Sequence, residues 1–212
     1  WIPEGKPASE GVYVSYPLDD MVGILALESQ RNRCLVVGED LGTVPEGFRE
    51  RMTEAGILSY RVVFFEYAEG GGFVGPEDYP HLALSTVGSH DLATLRGWWE
   101  EHDIGLKERH GLYPGADEAR NQRDLRARDK QALLDALKAA GLDLPAGFSV
   151  GSDYDDALSE AVHRFLARTR SGIAMVQIDD LTEEPHQVNL PGTTDQHPNW
   201  RRRLPAATEN LL

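Results

Sequence analysis

The stretch Cys34-Leu35-Val36-Val37-Gly38-Glu39-Asp40 joins a short apolar run to two adjacent carboxylates. Three further runs share its β-rich, apolar character, at residues 61–66, 83–87 and 173–178. Near-continuous apolar runs, as opposed to alternating ones, are typical of parallel strands that are covered on both faces. We therefore predict four strands of a parallel sheet.

Helical patterns separate these runs. The spacing of apolar residues predicts helices over about 18–30, 43–56, 124–140 and 154–170. The last has the clearest apolar stripe: Leu158, Ala161, Val162, Phe165 and Leu166. Strand followed by helix, repeated, predicts an α/β fold of βα units, which we assign to a single domain. Such units could form half of an eight-stranded barrel or most of a small open sheet, and periodicity does not choose between them.

Carboxylates follow two of the predicted strands. Glu39-Asp40 closes the first, and His90-Asp91 follows the third. Active sites of βα barrels lie at the carboxyl ends of strands, and two carboxylates are the groups that glycosidic-bond chemistry uses. An apolar wall beneath Glu39 would suit a general acid. The alternative is structural: Glu39 could lie in the first turn of a helix, and Asp91 could cap one.

Composition limits the classes of partner. The 212 residues carry 35 acidic and 21 basic side chains, a formal net charge of −14. We expect no nucleic-acid partner, because such binding needs clustered cations and the only dense run is Arg201-Arg202-Arg203. No apolar run approaches the roughly 20 residues of a membrane helix, so we expect no membrane partner.

The single cysteine, Cys34, excludes an intrachain disulfide, and we expect it to be a buried, unreactive thiol. This is compatible with a cytoplasmic protein. The histidines outside the His90-Asp91 pair show no metal-ligand spacing, so we expect no metal site. Trp1, Trp98, Trp99 and Trp200 could stack on sugar rings, although burial in the core is the more common role of tryptophan.

Several strings, in order along the chain, resemble the amylomaltase or disproportionating-enzyme family, the 4-α-glucanotransferases. They are Trp1-Ile2-Pro3-Glu4-Gly5, Val37-Gly38-Glu39-Asp40-Leu41-Gly42-Thr43-Val44-Pro45, Ser89-His90-Asp91-Leu92, Gln187-Val188-Asn189-Leu190-Pro191-Gly192-Thr193 and Pro198-Asn199-Trp200-Arg201-Arg202-Arg203-Leu204. The resemblance implies the C-terminal part of a (β/α)8 TIM barrel of the α-amylase type, with a helical insertion. It also implies transfer of α-1,4-glucan segments between maltooligosaccharides through a covalent glycosyl-enzyme, with retention.

The resemblance also implies residue roles. Glu39 would be the acid/base, and Asp91 would stabilise the transition state. His90 would donate hydrogen bonds to the same sugar ring, and Asp40 would support Glu39. The remaining candidates for lining the substrate site are Tyr13, Tyr16 and Asn189. No cofactor is implied, because glycosyl transfer by carboxylates needs neither a metal nor a redox group.

One family element is missing from the 212 residues. The family's nucleophilic aspartate belongs to an Arg-Ile-Asp-His string, which this sequence does not contain. Asp19 and Asp20 lie on a predicted helix and are poor substitutes. We therefore expect a fragment that lacks the nucleophile strand and is inactive alone. The alternatives are an α-glucan hydrolase of the same clan and a non-catalytic glucan-binding fragment.

Overall fold

A computed structural model of the chain describes residues 1–207 and 209. The chain forms two compact units, Trp1–Ser59 and Tyr60–Leu212, and each is described by itself. Within the part of the chain that is described, no helix is both long enough and apolar enough to cross a bilayer.

The first unit contains the helices α1 (Leu18–Asn32) and α2 (Phe48–Glu54). Helix α1 begins directly after Pro17 and ends where Arg33 adopts a left-handed conformation with φ of 52°. Only Val22 of α1 is buried. The other large apolar side chains of this helix are exposed: Leu18, Met21, Ile24, Leu25 and Leu27. The unit thus leaves an apolar helix surface without cover from its own residues.

The second unit is built on a three-stranded sheet in the order β1 (Ser59–Val62), β2 (Ala83–Thr86) and β3 (Ile173–Met175). Strand β2 lies in the centre and all four of its residues are buried. Strands β2 and β3 are parallel, and Ser85 lies opposite Ala174. The parallel pairing agrees with the sequence prediction, and β2 is covered on both faces as expected of such a strand. Strand β3 is not, since Ala174 and Met175 are exposed.

Five α-helices lie in the described part of this unit, besides the short 3-10 helices Val63–Phe65 and Pro76–Asp78. They are α3 (Leu95–Trp99), α4 (His102–Arg109), α5 (Glu118–Ala139), α6 (Asp156–Ala167) and α7 (Ile178–Leu181). Helix α6 buries the complete stripe predicted for it, Leu158, Ala161, Val162, Phe165 and Leu166. Asp155 caps its N-terminus by accepting a hydrogen bond from the Leu158 backbone N–H at 2.9 Å.

Three strand predictions need correction. Residues 34–38 form only an isolated parallel bridge between Val37 and Leu58, because backbone pairing with Leu58 is limited to residues 36 and 38. The second run ends as a strand at Val62 and continues as a 3-10 turn at Val63–Phe65. The fourth strand ends at Met175, and Ile178 begins α7 instead.

Cys34 is exposed, so the prediction of a buried thiol was wrong.

The helix boundaries also differ from those predicted. Helix α2 begins at Phe48, five residues after the start of the predicted 43–56 helix, and α5 begins at Glu118, six residues before the predicted start at 124. Helices α3 and α4 were not predicted. Their short lengths give too few turns for an apolar stripe to appear in the sequence. Burial of Trp98 and Trp99 stabilises α3 instead, and Ile104 is the buried residue of α4.

Candidate functional site

Asp91 lies on the loop that follows β2 and is held by a distant residue. The Asn189 side-chain amide donates a hydrogen bond to Asp91 Oδ1 at 2.6 Å. His90 Nε2 lies 3.5 Å from the other carboxylate oxygen, Oδ2. Both His90 and Asp91 are exposed, so the carboxylate is oriented by side chains and remains open to a ligand.

The loop that carries Asp91 is anchored at its far end. Thr94 caps α3 by accepting a hydrogen bond from the Gly97 N–H, and its hydroxyl donates to the Glu184 carbonyl. Asp180 accepts a hydrogen bond from the Leu95 N–H at 2.7 Å. Because Thr94 caps α3, Asp91 does not serve as the helix cap that was its structural alternative.

Asp180 is itself an unusual group. The side chain is buried, and Oδ2 has no hydrogen-bond partner among the described residues. Burial raises the pKa of Asp180 above its ordinary value, and the hydrogen bond from Leu95 opposes this in part. The short helix α7 therefore places a buried carboxyl against the start of α3, just beyond the Asp91 loop.

The chain beyond α7 is tied to the same region. Arg202 forms ion pairs with Asp179 and with Glu184, the latter at 3.4 Å. The Gln187 side chain is buried and donates to the Asn189 carbonyl at 2.6 Å. The Gln187 contact fixes the Asn189 backbone, which helps to hold the Asn189 amide in place for Asp91.

In the first unit, Glu39 follows the bridge between Val37 and Leu58. Its carboxylate accepts a hydrogen bond from the Leu41 N–H at 2.9 Å, which closes a tight turn. Glu39 is exposed, so the expected apolar wall is not formed by this unit. Helix α2 begins only at Phe48, so Glu39 does not lie in the first turn of a helix. The structural alternative for this residue is therefore excluded.

Asp40 has the opposite environment. Its side chain is buried, and Oδ2 accepts a hydrogen bond from Arg49 Nε at 2.9 Å. Arg49 Nη2 also donates to the Asp40 carbonyl at 2.8 Å. Two contacts from one guanidinium fix both the side chain and the backbone of the residue next to Glu39, which suits a supporting role for Asp40.

Tyr13 and Tyr16 line a groove of about 650 Å³ in the first unit. The groove is largely apolar, and its other wall is the 43–48 segment that follows the Glu39 turn, including Pro45 and Phe48. Both tyrosines are well exposed, Tyr13 at 94%. The first unit thus brings the two tyrosines together beside the segment that continues from Glu39.

The structure therefore arranges the predicted site residues in two groups. His90, Asp91 and Asn189 meet in the second unit, while Glu39, Asp40, Tyr13 and Tyr16 belong to the first. Sequence reasoning missed Asp180, which carries no local signal, whereas Trp200 was among the four tryptophans that could stack on sugar rings. Trp98 and Trp99 are buried, which excludes them as exposed stacking platforms.

Among residues 1–207 and 209, no three His, Cys, Asp or Glu side chains cluster as a metal site would require. What the two groups offer is carboxylates beside hydrogen-bond donors and exposed aromatic rings, at the carboxyl ends of a parallel bridge and a parallel strand. Paired carboxylates are the groups that glycosidic-bond chemistry uses.

Comparison with known proteins identifies one family for this chain. The 4-alpha-glucanotransferase family matches residues 1–208, and this chain belongs to that family. The 4-alpha-glucanotransferase of Haemophilus influenzae is 39% identical over 206 residues, covering 96% of this chain and 29% of the relative. That of Mycobacterium bovis is 36% identical over 205 residues, covering 95% and 28%. The chain thus spans less than a third of the length of these relatives.

Two solved amylomaltase structures resemble the fold of this chain. The crystal structure of amylomaltase from Corynebacterium glutamicum matches with a TM-score of 0.84 and 32% identity, over 95% of this chain and 29% of that one. Amylomaltase from Streptococcus agalactiae, solved in complex with acarbose, matches with a TM-score of 0.66 over 99% of this chain and 35% of that one. At 19% identity the second match shows a shared fold alone.

Proposed function

We propose that this chain is the C-terminal part of the catalytic barrel of a 4-α-glucanotransferase, acting in the cytoplasm on maltooligosaccharides. The observation that carries the proposal is the Asp91 carboxylate, which follows a central parallel strand and is oriented by Asn189 and His90. Membership of the family supports the reaction class. The (β/α)8 architecture is part of the proposal, since a three-stranded sheet in which β2 and β3 are parallel suits a section of such a barrel.

The proposed chemistry is retaining transfer. Glu39 protonates the glycosidic oxygen as the bond to the anomeric carbon breaks, and a carboxylate nucleophile forms the covalent glycosyl-enzyme. Glu39 then removes the proton from the incoming 4-hydroxyl, which attacks the anomeric carbon and releases the nucleophile. Asp91 stabilises the positive charge that develops at the anomeric centre. Asn189 holds Asp91 in place, and Asp40 holds the Glu39 turn.

The nucleophile is proposed to come from outside these 212 residues, since no Arg-Ile-Asp-His string is present. Asp19 and Asp20 lie in the first turn of α1, as predicted, and Asp19 pairs with Arg51 at 2.9 Å. The exposed apolar residues of α1 also support a larger protein, because additional chain would remove them from water.

Product analysis tests the proposal. The longer polypeptide that contains this chain should convert maltotriose into glucose together with longer maltooligosaccharides. Glu39→Gln and Asp91→Asn should each lower the rate by about 10²–10⁴-fold, the usual contribution of such groups. Release of glucose and maltose without longer products would identify a hydrolase instead. Disproportionation by the 212-residue chain alone would contradict the proposal that the nucleophile comes from outside these residues.

A further inference from the structure

Trp200 combines two features that are unfavourable for stability. The residue is 61% exposed, and its backbone has a left-handed φ of 61°. An exposed indole forgoes the stabilisation that burial of a large ring would give. A bulky L-residue at positive φ is strained, and such strain persists where the surroundings enforce it, often at functional sites.

The ring also lies beside the Asp91 group. The centroids of Trp200 and His90 are 5.3 Å apart, with the two planes tilted by 46°. His90 in turn lies 3.5 Å from Asp91. The indole is therefore two side chains from the carboxylate and remains largely open to solvent.

The surrounding loop holds Trp200 in this position. Its backbone N–H donates to the Val188 carbonyl at 3.0 Å, directly before Asn189. The neighbouring Asn199 accepts from the Leu190 N–H at 2.9 Å and donates to Thr193 Oγ1 at 2.9 Å. One hydrogen-bonded loop thus carries both the residue that orients Asp91 and the exposed ring.

We propose that Trp200 is a sugar-binding residue that stacks on a glucose ring of the α-glucan bound next to Asp91. A pyranose ring presents C–H bonds on its faces, and an aromatic face complements them in shape and in charge distribution. A sugar stacked on the indole would cover a ring that is otherwise open to solvent. The loop that carries Trp200 would need no new ordering for this contact. The inference rests on the proposed function and extends it to a specific binding contact.

The test uses the full-length protein with maltotriose as the substrate. Trp200→Ala should raise KM about tenfold and change kcat by less than about threefold, because a lost stacking contact weakens ground-state and transition-state binding together. Trp200→Phe keeps an aromatic face and should stay within about threefold of the wild-type KM. Leu125→Ala, which truncates an exposed apolar residue on α5, is the matched control and should leave both constants unchanged.

The outcomes separate the possible roles. An unchanged KM in Trp200→Ala would overturn the proposal, as would an equal loss in Trp200→Phe. A lowered melting temperature with an unchanged KM would instead show that Trp200 is covered by protein. If the wild-type protein has no activity, the proposed function fails by itself. Calorimetric titration with maltotriose then tests Trp200 directly, through tenfold weaker binding by the Ala variant and retained binding by the Phe variant.

Discussion

Asn189 donates a 2.6 Å hydrogen bond to Asp91, a residue 98 positions earlier in the chain. The contact joins the loop after β2 to the segment that follows α7. Because the amide donates and the carboxylate accepts, the bond fixes one oxygen of Asp91 and leaves the other beside His90. The orientation of the proposed transition-state stabiliser is therefore set by a neutral side chain.

Removing this amide should impair catalysis. We expect Asn189→Ala to lower kcat/KM for maltotriose disproportionation about 10- to 100-fold, since a hydrogen bond to a charged group contributes roughly 1.5–3 kcal/mol. Asn189→Asp should be worse, because it places a second carboxylate against Asp91. Initial rates of maltotriose disproportionation measure the effect of both variants. Asn32→Ala, at an exposed helix position, should retain full activity. Wild-type rates in Asn189→Ala would show that Asp91 needs no anchor.

Asp180 should make stability depend on pH. Burial raises its folded-state pKa above the unfolded value. Between these two values the folded protein binds more protons, so stability falls as pH rises through that window. Asp180→Asn keeps an acceptor for the Leu95 N–H but carries no charge. Its melting temperature relative to wild type should therefore increase from pH 4 to pH 7.

Thermal unfolding at several pH values measures this difference. Asp195→Asn, at an exposed position, is the matched control and should melt in parallel with wild type throughout. A constant offset for Asp180→Asn across the pH range would contradict the raised pKa.

The pair Arg126–Asp103 should be costly to break. Both side chains are close to buried, and the guanidinium contacts the two carboxylate oxygens at 3.0 and 2.8 Å while lying 4.8 Å from the Trp98 ring centroid. Arg126→Ala should lower the free energy of unfolding by about 3–5 kcal/mol, since it leaves the Asp103 charge without this partner. Urea denaturation measures the loss.

Two variants test the cause of that loss. Replacing both partners, Arg126→Met with Asp103→Leu, should recover most of the stability, because neither charge of this pair then remains. Arg120→Ala, which breaks an exposed pair with Asp117, should cost less than about 1 kcal/mol. A double variant as unstable as Arg126→Ala would show that the loss comes mainly from the packing of the arginine side chain.

Asp40 and Glu39 should differ in kinetics. Asp40→Asn preserves the shape of the side chain but weakens its pairing with Arg49, so the Glu39 turn should loosen and kcat should fall up to about tenfold. Glu39→Gln removes the proton carrier and should cost far more. Steady-state kinetics on maltotriose compares them. Equal losses would mean that Asp40 takes part in the reaction.

Local pattern was sufficient for part of this protein. Strand β2 and the stripe of α6 were predicted correctly, because continuous burial and helical spacing are written in consecutive residues. His90 and Asp91 were selected by their place after a buried strand, and they lie on the loop that follows β2, whereas their catalytic roles stay predictions. The family resemblance was confirmed as well, since its strings run along the whole matched length.

Tertiary contacts decided the remainder. The 34–38 run has strand composition but forms a single bridge, since its pairing is limited to Leu58. Nothing near Asp180 in the sequence indicates that it is buried against Leu95. What the sequence by itself determined is which segments are apolar and which residues could react. Only the folded chain decided which distant side chains orient them, because a hydrogen bond between positions 91 and 189 depends on the packing of every element between them.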